Sequence, residues 1–301
     1  MQALLKNWGY KDRRKDKACL VSTVWACLVS VQVLALVCLA SGCSEIPPVI
    51  NPVGQTEMPV DSTARKVLIE EFTGVRCVNC PAGTAEVLRL QDQYQGQVIA
   101  VALHAGSFAQ PYPDSEVDFR IPETASLLTY LKSPLGYPSA VVNRRLFEGE
   151  RDLQLSKSLW PVFVEEEASR PAEVQLELVV QYNDTDRELL VDVAMTALQE
   201  ITAEPLKLSV MLVEDRVSDV QLTPGGKQSD YVHRHNLRDM LTAFNGNGIN
   251  GGLPLAETIN RNYFYTLPPE WRAEACAIIA FVHLDGEVKD VLQVEKRKLI
   301  E

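Results

Sequence analysis

The sequence predicts an exported chain of two domains, a small α/β domain followed by an all-β sandwich. Three observations predict it. A basic start and a long uncharged run precede everything else. Between about residues 65 and 170, apolar runs alternate with helical patterns, the order of an α/β domain. From Ala172 on, apolar and polar residues alternate one by one, as in the strands of a sandwich. The expected organisation is 1–42 signal peptide, 43–63 tether, 64–171 α/β domain and 172–301 β-sandwich, Ig-like in its simplest form.

The N-terminus reads as an address rather than as fold. Lys6, Lys11, Arg13, Arg14, Lys15 and Lys17 are diluted only by Asp12 and Asp16, and residues 18–42 carry no charge. Small residues then lead to Cys43, in Leu39-Ala40-Ser41-Gly42-Cys43. This is an export signal of the lipoprotein kind, with Cys43 as the lipidated new N-terminus. An uncleaved membrane anchor is the alternative, since the run is long enough to span a bilayer. Residues 44–63 contain Pro47, Pro48, Pro52 and Pro59 and read as an extended tether.

Val67–Phe72 is a buried strand by its apolar run. Cys77 to about Tyr94 is a helix, with Val78, Ala82, Ala85 and Leu88 on one face and Gly96 just beyond. Val98–Leu103 is all apolar, the mark of a strand covered on both faces. Pro122–Lys132 is a short helix and Ser139–Asn143 a third strand. Leu155–Ser169 is helical, with Pro161 at a kink or in the first turn. In the second half, Val174, Leu176, Leu178 and Val180 share a face, and Leu189, Val191 and Val193 resume it after a turn at Asn183–Arg187. Further strands are expected at Leu206–Glu214, Tyr263–Leu267, Ala275–Leu284 and Val288–Lys298, the last two joined at Asp285-Gly286. About 130 residues suffice for an independent core.

Charge excludes some partners. The chain carries −11 overall; its first 42 residues contribute +4, leaving −15 for the rest. Nucleic-acid binding demands a basic face, so no nucleic acid is expected. Anionic lipid would repel such a chain, so acyl chains on Cys43 must supply the membrane attachment. No cofactor motif is present. Asn245–Gly252 is Gly-rich but lacks the Lys-Ser/Thr ending of a phosphate-binding loop.

Chemistry concentrates at Cys77-Val78-Asn79-Cys80. Of seven cysteines, Cys19, Cys27 and Cys38 fall in the signal, and only Cys77 and Cys80 lie close together. Two residues between them allow a disulfide, and a helix N-terminus stabilises a thiolate. Cys276, within an apolar strand, is expected to be an inert buried thiol. His104 ends the second strand, where open α/β sheets place their functional crevice. It is expected to be structural, to tune the thiolate, or to join both sulfurs around a soft metal. His233 and His235, two apart, would share a strand face but make a weak metal signal.

The strand–CxxC–helix order, with Tyr137-Pro138 before a later apolar strand, resembles the thioredoxin fold over about 65–170. That resemblance implies a cis peptide at Pro138, packed against the disulfide. It implies Cys77 as exposed nucleophile, Cys80 as resolving thiol and Glu71 as a buried acid that deprotonates Cys80, although buried carboxylates are rare and Glu71 reads also as a solvated carboxylate at the strand end. Arg76 would lower the Cys77 pKa further. The Val-Asn pair inside the motif and the lack of a preceding tryptophan depart from typical thioredoxins.

A wider resemblance rests on the signal and Cys43, the Glu70–Pro81 block, His104, Gly136–Ser139 with Asn143-Arg144, and His233–Asn236. Together these resemble the outer-membrane-protein-28-related lipoproteins of Bacteroidetes, which implies outer-membrane location without an assigned reaction. Three functions follow as expectations. One is thiol–disulfide exchange with envelope proteins. Another is a non-catalytic binding lipoprotein with Cys77–Cys80 as a permanent staple. The third is copper handling by Cys77, Cys80 and His104. An exposed Cys77 sulfur beside Pro138 would favour the first over the second.

Overall fold

The computed structural model describes residues 64–201 and 205–300. The signal peptide, Cys43 and the tether lie outside the described residues. Fourteen strands and three α-helices follow in order among those described. The first half contains β1 (Val67–Thr73), α1 (Cys80–Tyr94), β2 (Val98–His104), α2 (Pro122–Tyr130), β3 (Ser139–Val142), β4 (Leu155–Ser156) and α3 (Trp160–Ala168). The second contains β5 (Val174–Asn183), β6 (Glu188–Ala197), β7 (Leu206–Glu214), β8 (Val217–Thr223), β9 (Gly226–His233), β10 (Asn236–Met240), β11 (Asn247–Gly248), β12 (Thr258–Thr266), β13 (Cys276–Leu284) and β14 (Val291–Lys298).

The expected fold class is corrected by the sheet. An α/β thioredoxin-like domain followed by a separate sandwich would give two independent sheets. Instead one mixed sheet runs β14-β13-β7-β10-β2-β1-β3-β4, with β11 added beside β7, and strand dominates the chain. The join is β10 on β2: they run parallel, Asn236 opposite Ala102, and the Ala102 amide donates to the His235 carbonyl at 2.8 Å. β7 and β13 then extend the sheet antiparallel.

Burial explains this arrangement. β1 and β2 are buried along their whole length, and β7 and β13 at all but one residue each, so each needs cover on both faces. On one face, Leu68, Phe72, Val101, Met211, Val213 and Phe281 form a single core that also takes in Leu127 and Leu131 at α2. The opposite face is divided. Val67, Ile69 and Ala100 pack against α1 and α3. Val210, Leu212, Ile278 and Ala280 pack against a three-stranded sheet, β12-β6-β5. β5, β6 and β12 alternate, as strands with one face outside do.

Buried ion pairs tie distant segments together. Arg65 donates to Glu167 at 2.7 Å and to the carbonyls of Val291 and Leu292. The Asn143 side chain donates to the same carboxylate. Glu70 and Arg144, both fully buried, form a bidentate pair at 2.7 and 2.8 Å, with the guanidinium lying over Phe281. Burial of these charges is tolerated because each finds an opposite charge with directed hydrogen bonds.

Candidate functional site

Cys77 and Cys80 are joined by a disulfide with Cα atoms 5.4 Å apart. The turn that carries them leaves the end of β1. The Cys77 amide donates to the Gly74 carbonyl and the Cys80 amide to the Cys77 carbonyl. The helix begins at Cys80 rather than Cys77, with Asn79 as its cap and Pro81 in its first turn, where a missing N–H costs nothing.

Glu71 lies beneath this turn. It is fully buried, and its Oε1 has no hydrogen-bond partner. Burial lifts its carboxyl from the ordinary 4.5 to about 8, while a hydrogen bond from Thr84 works in the opposite direction. Gly83 explains how the acid fits. A Cβ there would stand 2.5 Å from Glu71 Oε1 and 2.7 Å from Pro138 Cβ. Glycine mid-helix is costly, so this close approach accounts for it. The Tyr137–Pro138 peptide is cis. Glu71, Gly83 and Pro138 therefore meet under the helix that Cys80 opens.

Arg76 does not point freely at Cys77. Its guanidinium donates to the carbonyls of Gln110 and Pro111 at 2.6 and 2.7 Å and stacks over Tyr112 at 4.5 Å. Its main task is to hold the 108–112 loop against the CxxC turn, assisted by its own amide on the Phe108 carbonyl.

His104 shares a cavity with Cys80. Thr73, Cys80, Thr84, His104, Tyr231 and His233 line a space of about 10 Å³, room for about one water. The Asn236 side-chain amide donates to the Glu214 carbonyl, which leaves its oxygen to accept from His104 Nε2 at 3.2 Å. His104 is thus the Nε2–H tautomer. Burial, together with His233 nearby, holds its pKa down at about 3, so the ring is neutral. It stacks on Phe119, with ring centroids 4.6 Å apart. His233 and His235 do not share a strand face: His233 ends β9, and His235 follows at φ 55° before β10. Among the described residues no group of three His, Cys, Asp or Glu side chains is placed to hold a metal ion. Cys276 is buried, its thiol pushed up to about 12.

Both cysteines are covered, Cys77 being 3% exposed and Cys80 2%. The expected exposed nucleophile is therefore corrected. The cover is the β8–β9 hairpin, which the sequence reading missed. Gln221 Nε2 donates to the Cys77 carbonyl at 3.0 Å, and the Leu222 amide donates to the Val75 carbonyl at 2.8 Å. The signal was available in Pro224-Gly225-Gly226 between two short alternating runs. Thr84 and Gly83 were also missed, since neither residue type announces chemistry.

The family profile described as Outer membrane protein Omp28 matches residues 129–301, more than half of the chain. The chain belongs to the Omp28 family. Membership places it at the outer membrane. Among solved structures it is similar to HBP35 of Porphyromonas gingivalis, at 18% identity and TM-score 0.63, covering 79% of this chain and 76% of that one. That match is longer than either half of the chain, in keeping with one mixed sheet rather than a thioredoxin-like domain plus a sandwich. Protein AGR_C_4864 from Agrobacterium tumefaciens is 13% identical with TM-score 0.50, covering 79% of this chain and 96% of that one. A domain of the outer membrane lipoprotein Omp28 from Porphyromonas gingivalis is 22% identical with TM-score 0.31, covering 43% of this chain and 89% of that one. No curated protein matches. At these identities the structural likenesses show fold alone.

Proposed function

We infer that this Omp28 family member is a lipoprotein, held at the outer membrane by acyl chains on Cys43, whose Cys77–Cys80 pair exchanges disulfides with envelope proteins. The observation that carries the reading is Glu71, a buried acid with an unpartnered oxygen under the helix that Cys80 opens. Such an acid weakens the fold, and perturbed acids of this kind cluster at reactive sites.

In the reduced protein, the Cys77 thiolate attacks one sulfur of a partner's disulfide. The partner's S–S bond breaks, its second sulfur leaves as a thiolate, and a Cys77–partner mixed disulfide forms. Glu71 carboxylate accepts the Cys80 proton, and the Cys80 thiolate attacks Cys77 Sγ. The Cys77–Cys80 bond forms, and the partner's remaining sulfur departs as a thiolate that takes up a proton. Two electrons pass from this protein to the partner. The reverse sequence oxidises a partner dithiol, with Glu71 returning its proton to Cys80. A carboxyl near 8 suits this work because its pKa lies close to that of a thiol. The first turn of α1 and Pro138 fix the geometry, and Arg76 holds the neighbouring loop.

One observation favours a second reading. Both cysteines are buried, as a permanent staple would be. Redox titration decides between them. A potential above about −300 mV supports exchange, and one well below it supports a staple.

A further inference from the structure

The β8–β9 hairpin differs from every other strand pair. It forms a two-stranded sheet of its own, joined to neither of the larger sheets. None of residues 217–233 belongs to the three apolar cores found among the described residues. An isolated hairpin is marginally stable in water. What holds this one is a small set of polar ties, together with the buried Val220 and the His233 ring packed on Phe119 and His104.

Those ties converge on the disulfide turn and on the loop beside it. The Leu222 amide and Gln221 Nε2 reach the carbonyls of Val75, Cys77 and Gly74. The Asp219 carboxylate accepts from the amides of Glu116 and Val117 at 3.1 and 2.9 Å. Lys227 pairs with Asp114 at an exposed position. At the other end, Tyr231 and His233 close the small cavity beside Cys80. The hairpin thus occupies the polar backbone edge of the CxxC turn as an added strand would.

We propose that the β8–β9 hairpin is an intramolecular gate over Cys77–Cys80, and that thiols reach the disulfide only after it detaches from the Gly74–Cys77 turn. Segments with few core contacts and polar anchoring open at lower free energy than the body of a fold. The carbonyls of Val75 and Cys77, freed by opening, would then accept hydrogen bonds from an extended segment of the partner, in the manner of strand addition. This inference takes its purpose from the exchange reading, but the gate can be measured separately.

The test uses the full-length protein in detergent and dithiothreitol as the probe. Gln221→Ala removes the side-chain ties to Gly74 and Cys77, and Asp219→Ala removes the tie to the 116–117 loop. Both variants are first checked for a cooperative thermal transition. Hydrogen exchange at the Leu222 amide then reports whether the hairpin is loosened. The gate predicts that the wild-type reduction rate levels off as dithiothreitol rises, because opening becomes limiting. It also predicts at least a tenfold higher plateau in either variant. Wild-type and variant disulfides reduced at the same rate, with Leu222 exchanging faster in the variants, would overturn the gate and leave exchange standing. Disulfides that resist reduction in all three proteins despite that loosening would overturn both.

Discussion

Glu71→Gln is expected to change how stability depends on pH. Folding holds the Glu71 proton more tightly than the unfolded chain does, since burial raises the carboxyl from 4.5 to about 8. The folded state therefore loses stability as pH rises from about 4.5, and the loss is complete above about 8. At about 1.4 kcal/mol per pH unit, the full penalty is about 5 kcal/mol, of which about 4 kcal/mol accrues between pH 5 and pH 9. Glutamine has no proton to lose and escapes the penalty. Urea unfolding of the disulfide-intact proteins at pH 5, 7 and 9 measures this directly. The difference between variant and wild type should grow in favour of the variant by about 4 kcal/mol across the range, other titrations cancelling. A constant difference from pH 5 to pH 9 would show that Glu71 is not held neutral, and the proton-transfer role would fall with it.

Two further perturbations test the packing that supports the site. Gly83→Ala gains about 0.5–1 kcal/mol of helix propensity, yet its methyl would meet Glu71 Oε1 at 2.5 Å and Pro138 Cβ at 2.7 Å. Overpacking of this sort costs about 1–3 kcal/mol, so the melting temperature should fall; a rise would refute the close approach. Arg144→Met strands the fully buried Glu70 carboxylate and should cost about 3–5 kcal/mol in urea unfolding. Replacing both partners by apolar residues should restore most of that loss, and equal losses in the single and double variants would contradict a paired-charge account.

Local structure was legible wherever a period was clean. Val67–Thr73, Val98–His104 and the alternating β5 and β6 fall where their patterns put them. Pro161 lies in the first turn of α3, one of the two places its fixed φ allows. The sheet that unites the halves was less visible. β7 and β13 were read as sandwich strands, although a sandwich strand shows one face to water and these are buried at all but one residue each. Their continuous burial signals cover on both faces. No local pattern names the partner of β2, because pairing with β10 joins residues more than a hundred positions apart.

At the site, cysteine spacing located the chemistry, but spacing cannot report cover. Burial of Cys77 depends on Gln221 and Leu222, supplied from far along the chain. His104 lines one small cavity with Cys80. Its neutrality comes from burial, with Phe119 stacked on the ring, and from His233, while the hydrogen bond with Asn236 works in the opposite direction; none of the three is its neighbour in sequence.

The most direct measurement is mass spectrometry of the mildly reduced protein after brief alkylation at neutral pH, following Cys77 and Cys80 separately. The exchange account predicts that Cys77 takes the label first, that Cys80 follows slowly, and that Cys276 stays unmodified. A protein whose Cys77 remains unlabelled while the fold is intact would contradict it and leave the disulfide as a structural clasp.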